Sequence, residues 1–88
     1  MIVPKPISVK ALNDYELFVV FDNGEEKIYN MKKNFKLKFY SKLKNKELFK
    51  QVKTSGINIE WSTGEDLDPD ELYFNSISIN DLKGVSPM

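Results

Sequence analysis

The sequence predicts an α+β fold, an antiparallel β-sheet (meander plus hairpin) with short helices packed on one face or end. Three observations predict it. Segments within 7–30 and 57–61 alternate apolar and polar residues with the period of two that a pleated strand imposes. Asn-Gly, Ser-Gly and Thr-Gly turn signals punctuate these segments. Between them, residues 32–53 turn Lys-rich, with apolar residues at the spacings of three and four that helices show.

Ile7, Val9 and Ala11 against Ser8, Lys10 and Leu12 give a first strand over 7–12, and the prolines before it suit a strand entrance. Asn13-Asp14 makes a turn. Residues 15–21 place Tyr15, Leu17, Val19 and Phe21 on one face, with Phe18 and Val20 making the other partly apolar, as in a central strand. Asp22-Asn23-Gly24-Glu25 is a hairpin signal, read as a type I′ turn, leading to a third strand over 25–30.

Phe35, Phe39 and Leu43, then Leu48, Phe49 and Val52, predict one or two short helices over 38–51, interrupted at Lys44-Asn45-Lys46. Asn45 is the expected N-cap of the second, with Glu47 in its first turn. After a turn at Thr54-Ser55-Gly56, Ile57, Ile59 and Trp61 form one face of a half-buried strand. Asp68, Pro69 and Glu71 resemble a capping box that opens a short helical turn. Residues 75–88 are expected to hold at most one short strand and then to fray. The expectation is one sheet of about five strands in a single domain, 1–88, without internal repeats.

At 88 residues the chain buries only about 60–65% of its unfolded surface, so a large enclosed substrate cavity is not expected. It contains no Cys and no His, which removes disulfides, thiolate chemistry, the commonest general base and the commonest metal ligand. All thirteen basic residues are Lys, so the bidentate Arg fork is missing too, although an A+T-rich genome would give the same Lys, Ile and Asn richness. The amino terminus has no apolar signal region, and no stretch approaches the roughly 18 apolar residues of a membrane span. A cytoplasmic location and no membrane contact are expected.

Charge is strongly polarised. Residues 32–53 hold nine Lys and one acid (net +8), residues 54–88 one Lys and seven acids (net −6), and residues 1–31 three Lys and five acids (net −2). Such polarity can steer a protein partner or nucleic acid, or simply solvate helix faces. Asp66, Asp68 and Asp70 mimic the opening of a calcium loop, but Glu71 replaces its turn-making Gly and Ile77 its bidentate Glu. Ser41, Ser55 and Ser62 have no His to activate them, and the acids of 60–71 crowd a polar loop rather than face each other across a cleft. No catalytic, cofactor-binding or metal-binding residue is therefore assigned, and the chain reads as no enzyme. The candidate partner-binding residues are Trp61, Asp66, Asp70 and Tyr73, since amphipathic aromatics beside charge are typical interface anchors. Trp61 also continues the Ile57/Ile59 face, which reads as core.

The order of landmarks resembles the bacterial family known as domain of unknown function 2442. It lies in the strand Tyr15, Leu17, Val19, Phe21, the turn Asn23-Gly24-Glu25, the series Phe39, Leu43, Phe49, Val52, and above all the ending Trp61, Gly64, Asp66, Leu67, Pro69, Leu72, Tyr73. It spans roughly 5–74, leaving 75–88 as an extension. The resemblance implies no established enzymatic activity. Some members have been suggested to be antitoxin components, and some carry an added helix-turn-helix domain, for which this sequence leaves no room after Leu72-Tyr73. The expected function is non-catalytic protein interaction, as an antitoxin-like partner of a toxin, through the acidic loop and an exposed strand edge that would also permit a homodimer. The alternative is a nucleic-acid-binding module using Lys32, Lys33, Lys36, Lys42 and Lys46.

Overall fold

The computed structural model describes residues 3–82. Its elements run β1 (Pro6–Ala11), β2 (Glu16–Phe21), β3 (Glu26–Asn30), α1 (Lys46–Phe49), β4 (Val52–Thr54), β5 (Ile59–Trp61), β6 (Asp66–Leu67), α2 (Pro69–Asn75), β7 (Ile77–Ser78) and α3 (Ile79–Leu82). Short 3-10 helices occupy Met31–Asn34 and Lys38–Lys44, and Asn13–Tyr15 is a tight turn with left-handed backbone at Asp14 and Tyr15. The fold is α+β, with antiparallel strands in two sheets, β1-β2-β3-β7 and β4-β5-β6, rather than one sheet of five. No described helix is long and apolar enough to cross a membrane.

The first sheet follows the predicted alternation. Leu17, Val19 and Phe21 of β2 are fully buried, and Tyr29 of β3 lies opposite Leu17. The register of β1 shifts between Pro6 and Ser8, so Pro6 takes the inward position and Ile7 is left 55% exposed. The turn after Phe21 is not type I′, because Gly24 alone has a positive φ (+90°). Gly24 N–H bonds to Phe21 O (2.9 Å) and Phe21 N–H to Glu25 O (2.9 Å), which makes a type I turn closed by a glycine bulge.

The second sheet collects residues predicted as helix end, strand and loop. Val52 pairs with Trp61 and Ile59 with Leu67. Its first connection is longer than expected. Ser55 Oγ accepts from the amides of Ile57 (3.3 Å) and Asn58 (3.1 Å), which holds Ile57 in the loop, exposed, instead of in the strand. The second connection repeats the β2–β3 geometry, with Trp61 N–H on Glu65 O (2.8 Å), Gly64 N–H on Trp61 O (2.9 Å) and Gly64 at φ +104°. Phe21-Asp22-Asn23-Gly24-Glu25 and Trp61-Ser62-Thr63-Gly64-Glu65 are thus the same hairpin loop twice, a local repeat the sequence reading did not register.

The two sheets meet where β4 lies against β1, with Thr54 Oγ1 donating to Pro6 O at 2.7 Å. One core joins them, comprising Leu17, Val19, Phe21, Tyr29, Met31, Leu43, Phe49, Ile59, Trp61, Leu67 and Leu72. Asn45 caps α1 as predicted, its Oδ1 accepting from Glu47 N (2.9 Å) and Leu48 N (3.3 Å). The capping box at α2 does not form, since the Asp68 side chain makes no cap bond and Glu71 turns to other partners. Over 75–82 the one short strand expected, β7, is followed not by fraying but by the short helix α3; the rest of that expectation, on residues 83–88, lies outside the described ones.

Candidate functional site

The acidic stretch is presented by three successive local structures. The glycine-bulge loop turns the chain so that Asp66 enters β6 opposite Glu60. Strand alternation then sends Leu67 inward and leaves Asp66 outward. Asp68, at φ −69° and ψ 150°, ends the extended segment, and Pro69 starts α2 with the φ a first helical residue needs. Within α2, Leu72 is fully buried, while Asp70 and Phe74, one turn apart, are both exposed. Glu65 is buried, and its carboxylate accepts from the Thr63 hydroxyl.

A residue absent from the sequence-based site completes it. Tyr40 donates its hydroxyl to Asp66 O at 2.8 Å. Burial pushes that hydroxyl above its ordinary pKa, and the negative charges of Asp66, Asp68, Glu71 and Glu65 add to the rise. Tyr40 therefore lies within the field of these carboxylates, bonded to the backbone that carries Asp66. None of these four, nor Asp70, forms an ion pair among the described residues. Beside them, Phe39 packs edge-on against Tyr40 (ring centroids 4.9 Å apart) yet is 58% exposed, and Leu37, whose carbonyl accepts from Tyr40 N–H, is 53% exposed. The face thus offers the exposed carboxylates of Asp66, Asp68 and Asp70, without an ion-pair partner among the described residues, near the exposed Phe39 and Leu37.

The flanks of α2 are tied down. Glu71 accepts from Tyr29 Oη (2.7 Å) and Asn75 Nδ2 (3.0 Å), and the buried Asn34 amide donates to Tyr29 Oη (2.8 Å). Burial and the Glu71 bond push the Tyr29 hydroxyl well above its ordinary pKa. On the other flank the Tyr73 hydroxyl donates to Glu25, which also takes Asn23 Nδ2 at 2.6 Å. The Tyr73 bond holds the Glu25 carboxyl below the usual range, and the same bond holds Tyr73 above its own. Lys27 Nζ lies 4.0 Å from the Tyr73 ring centre and donates to Tyr73 O at 2.7 Å. A polar recess of about 330 Å³ lies nearby, between Asn23–Glu26 and Ser78–Asn80.

The four predicted partner-binding residues therefore separate. Trp61 is 2% exposed and its indole N–H donates to Phe49 O at 2.9 Å, so it is a core residue with no surface to offer. Tyr73 is half-buried, with its hydroxyl, ring and carbonyl all engaged. Asp66 and Asp70 are exposed on the acidic face. The carboxylates of 66, 68 and 70 are split among a strand, a cap and a helix. Among the described residues, no group of three or more His, Cys, Asp or Glu side chains is placed to share a metal ion.

The Lys set is dispersed. Lys32 pairs with Asp14 at 2.7 Å, Lys33 reaches Asn75 O at 3.4 Å, and Lys46 lies 5.9 Å from the Tyr15 ring centre. Lys36 and Lys42 are exposed and form no ion pair among the described residues.

No curated protein and no solved structure is significantly similar to the chain. Residues 6–78 match the family described as Protein of unknown function (DUF2442), from the first strand to the last, including both glycine-bulge hairpins and the acidic face. By that match over most of its length, the chain belongs to the DUF2442 family.

Proposed function

We propose that this chain is a non-catalytic, cytoplasmic protein-interaction domain that binds a basic partner protein through its acidic face, in the manner of an antitoxin. The observation that carries the reading is the run of exposed carboxylates Asp66, Asp68 and Asp70, none in an ion pair among the described residues, joined through the Tyr40–Asp66 bond to a segment that exposes Phe39 and Leu37. Unpaired carboxylates steer a basic partner, and exposed apolar side chains supply the desolvated contact that charge alone does not. A homodimer by strand pairing is less favoured, because β6 and β7 are two residues long and β4 lies against β1.

The test is a pull-down from the native cells at low and moderate salt, with and without nuclease, comparing the native chain with the Asp66→Asn/Asp70→Asn variant. Both side chains are exposed, so the variant is expected to fold, which its circular dichroism spectrum checks. The expected result is one stoichiometric, nuclease-resistant protein, rich in Lys or Arg where it binds, that the variant fails to retain. A captured protein indifferent to the substitutions overturns the reading. Nuclease-sensitive, salt-labile capture assigns function to the Lys surface instead.

A further inference from the structure

We propose that the cleft between the 12–15 turn and α1 binds a small phosphate-class oxyanion. It uses no residue of the acidic face and stands or falls independently of the reading above. The cleft measures about 120 Å³ and is walled by Leu12, Asn13, Asp14 and Tyr15 on one side and Lys46, Phe49 and Lys50 on the other. At the ≈30 Å³ a water occupies in the liquid, that is about four waters, room for one tetrahedral oxyanion.

Three features of the cleft point to an anion. Asp14 (φ 62°) and Tyr15 (φ 60°) are successive left-handed residues. Asp tolerates that conformation; an aromatic residue rarely adopts it. Tyr15 is clamped into it by its ring, edge-on to Phe35 (5.0 Å) and Phe49 (5.3 Å), and by its hydroxyl on Lys44 O. Next, Lys46 and Lys50 lie one turn apart and both border the cleft, where like charges at this spacing repel. Lys50 has a weak partner in Glu47 at 3.9 Å, with both side chains largely exposed. Lastly, the carboxylate of Asp14 does not leave the cleft anionic, because Lys32, outside it, pairs with it at 2.7 Å. Backbone strain maintained beside two ammonium groups, one only weakly paired with Glu47 and one near the Tyr15 ring, is an arrangement that ligand clamps use. An oxyanion between Lys46 and Lys50 would turn their repulsion into two charge-assisted hydrogen bonds.

The experiment is a titration of the full chain with inorganic phosphate at constant ionic strength, balanced with NaCl and followed by backbone amide shifts. Saturable shifts confined to residues 12–15 and 46–50 are expected. Lys46→Gln and Lys50→Gln should each weaken binding roughly tenfold, whereas Lys36→Gln and Lys42→Gln should change it less than about twofold. Failure to saturate, equal shifts with NaCl alone, or equal loss in all four variants overturns the proposal. A parallel titration with a short single-stranded oligonucleotide separates free phosphate from a nucleic-acid backbone. A larger response to the oligonucleotide, spread over residues 32–53, also overturns it.

Discussion

The indole N–H of Trp61 donates to the carbonyl of Phe49 across 2.9 Å in the interior, joining β5 to the last residue of α1. Trp61→Phe keeps an aromatic ring but removes some buried volume and leaves the Phe49 carbonyl without that donor. It should lower the unfolding free energy by about 1–3 kcal/mol. Trp61→Ala adds a cavity and should cost about 3–5 kcal/mol. Urea denaturation followed by circular dichroism measures both.

The two helix starts predict opposite sensitivities. Asn45 satisfies two amides of α1, so Asn45→Ala should destabilise by about 1 kcal/mol. Asp68 makes no side-chain cap bond at α2, so Asp68→Ala should cost no more than a few tenths of a kcal/mol. Equal losses in the same denaturation assay would contradict the capping geometry.

Gly24 and Gly64 occupy φ +90° and +104°, and a Cβ added at either would meet no atom within 4 Å. The penalty for Gly24→Ala or Gly64→Ala is therefore backbone strain without steric clash, about 1–2 kcal/mol each. In a domain of this size that lowers the Tm by roughly 4–8 °C per kcal/mol, readable by calorimetry. Similar losses at both positions are expected because the loops share one geometry.

Stability should form a plateau between acid and alkaline limbs. The folded-state pKa of Glu25 is depressed by the Tyr73 hydroxyl, so its contribution is present above the unfolded value of 4.5 and is lost as pH falls through the folded one. The hydroxyls of Tyr29, Tyr40 and Tyr73 are raised above 10.0, so folding favours their protonated forms. Their contribution is full below pH 10 and declines as pH rises from there through the folded values. Urea midpoints from pH 3 to 11 test this, and Glu25→Gln should flatten the acid limb while Tyr29→Phe flattens the alkaline one.

Much of the first sheet was legible in the sequence because strands β1 to β3 are long enough for a period of two to show, with Leu17, Val19 and Phe21 facing in. The segment 38–44 was not, because it winds as a 3-10 helix. At three residues per turn, spacing three stays on one face and spacing four does not. Tyr40 and Leu43 therefore point inward and Phe39 outward, against the expected Phe35/Phe39/Leu43 face. Strands β4 and β6, of three and two residues, are too short to carry a period. Of the acidic face, Asp66 and Asp70 were readable as charge, but Tyr40 joins them only through a tertiary contact between residues 26 apart. Trp61 was ambiguous because its residue type suits an anchor and a core equally.

The twin glycine-bulge hairpins also set an order of assembly. Each closes a three-residue loop between adjacent strands, an event of about 1–10 μs that needs no distant part of the chain. The pairing of Ile28 with Ile77 and the Tyr29–Glu71 bond instead bridge about half of the chain, and a closure of that length is entropically slower. The segment 68–78 is thus expected to dock onto hairpins already formed, an order that pulsed hydrogen exchange during refolding would read. The acidic face straddles that seam, with Asp66 in a hairpin and Asp70 and Glu71 in the segment that docks later.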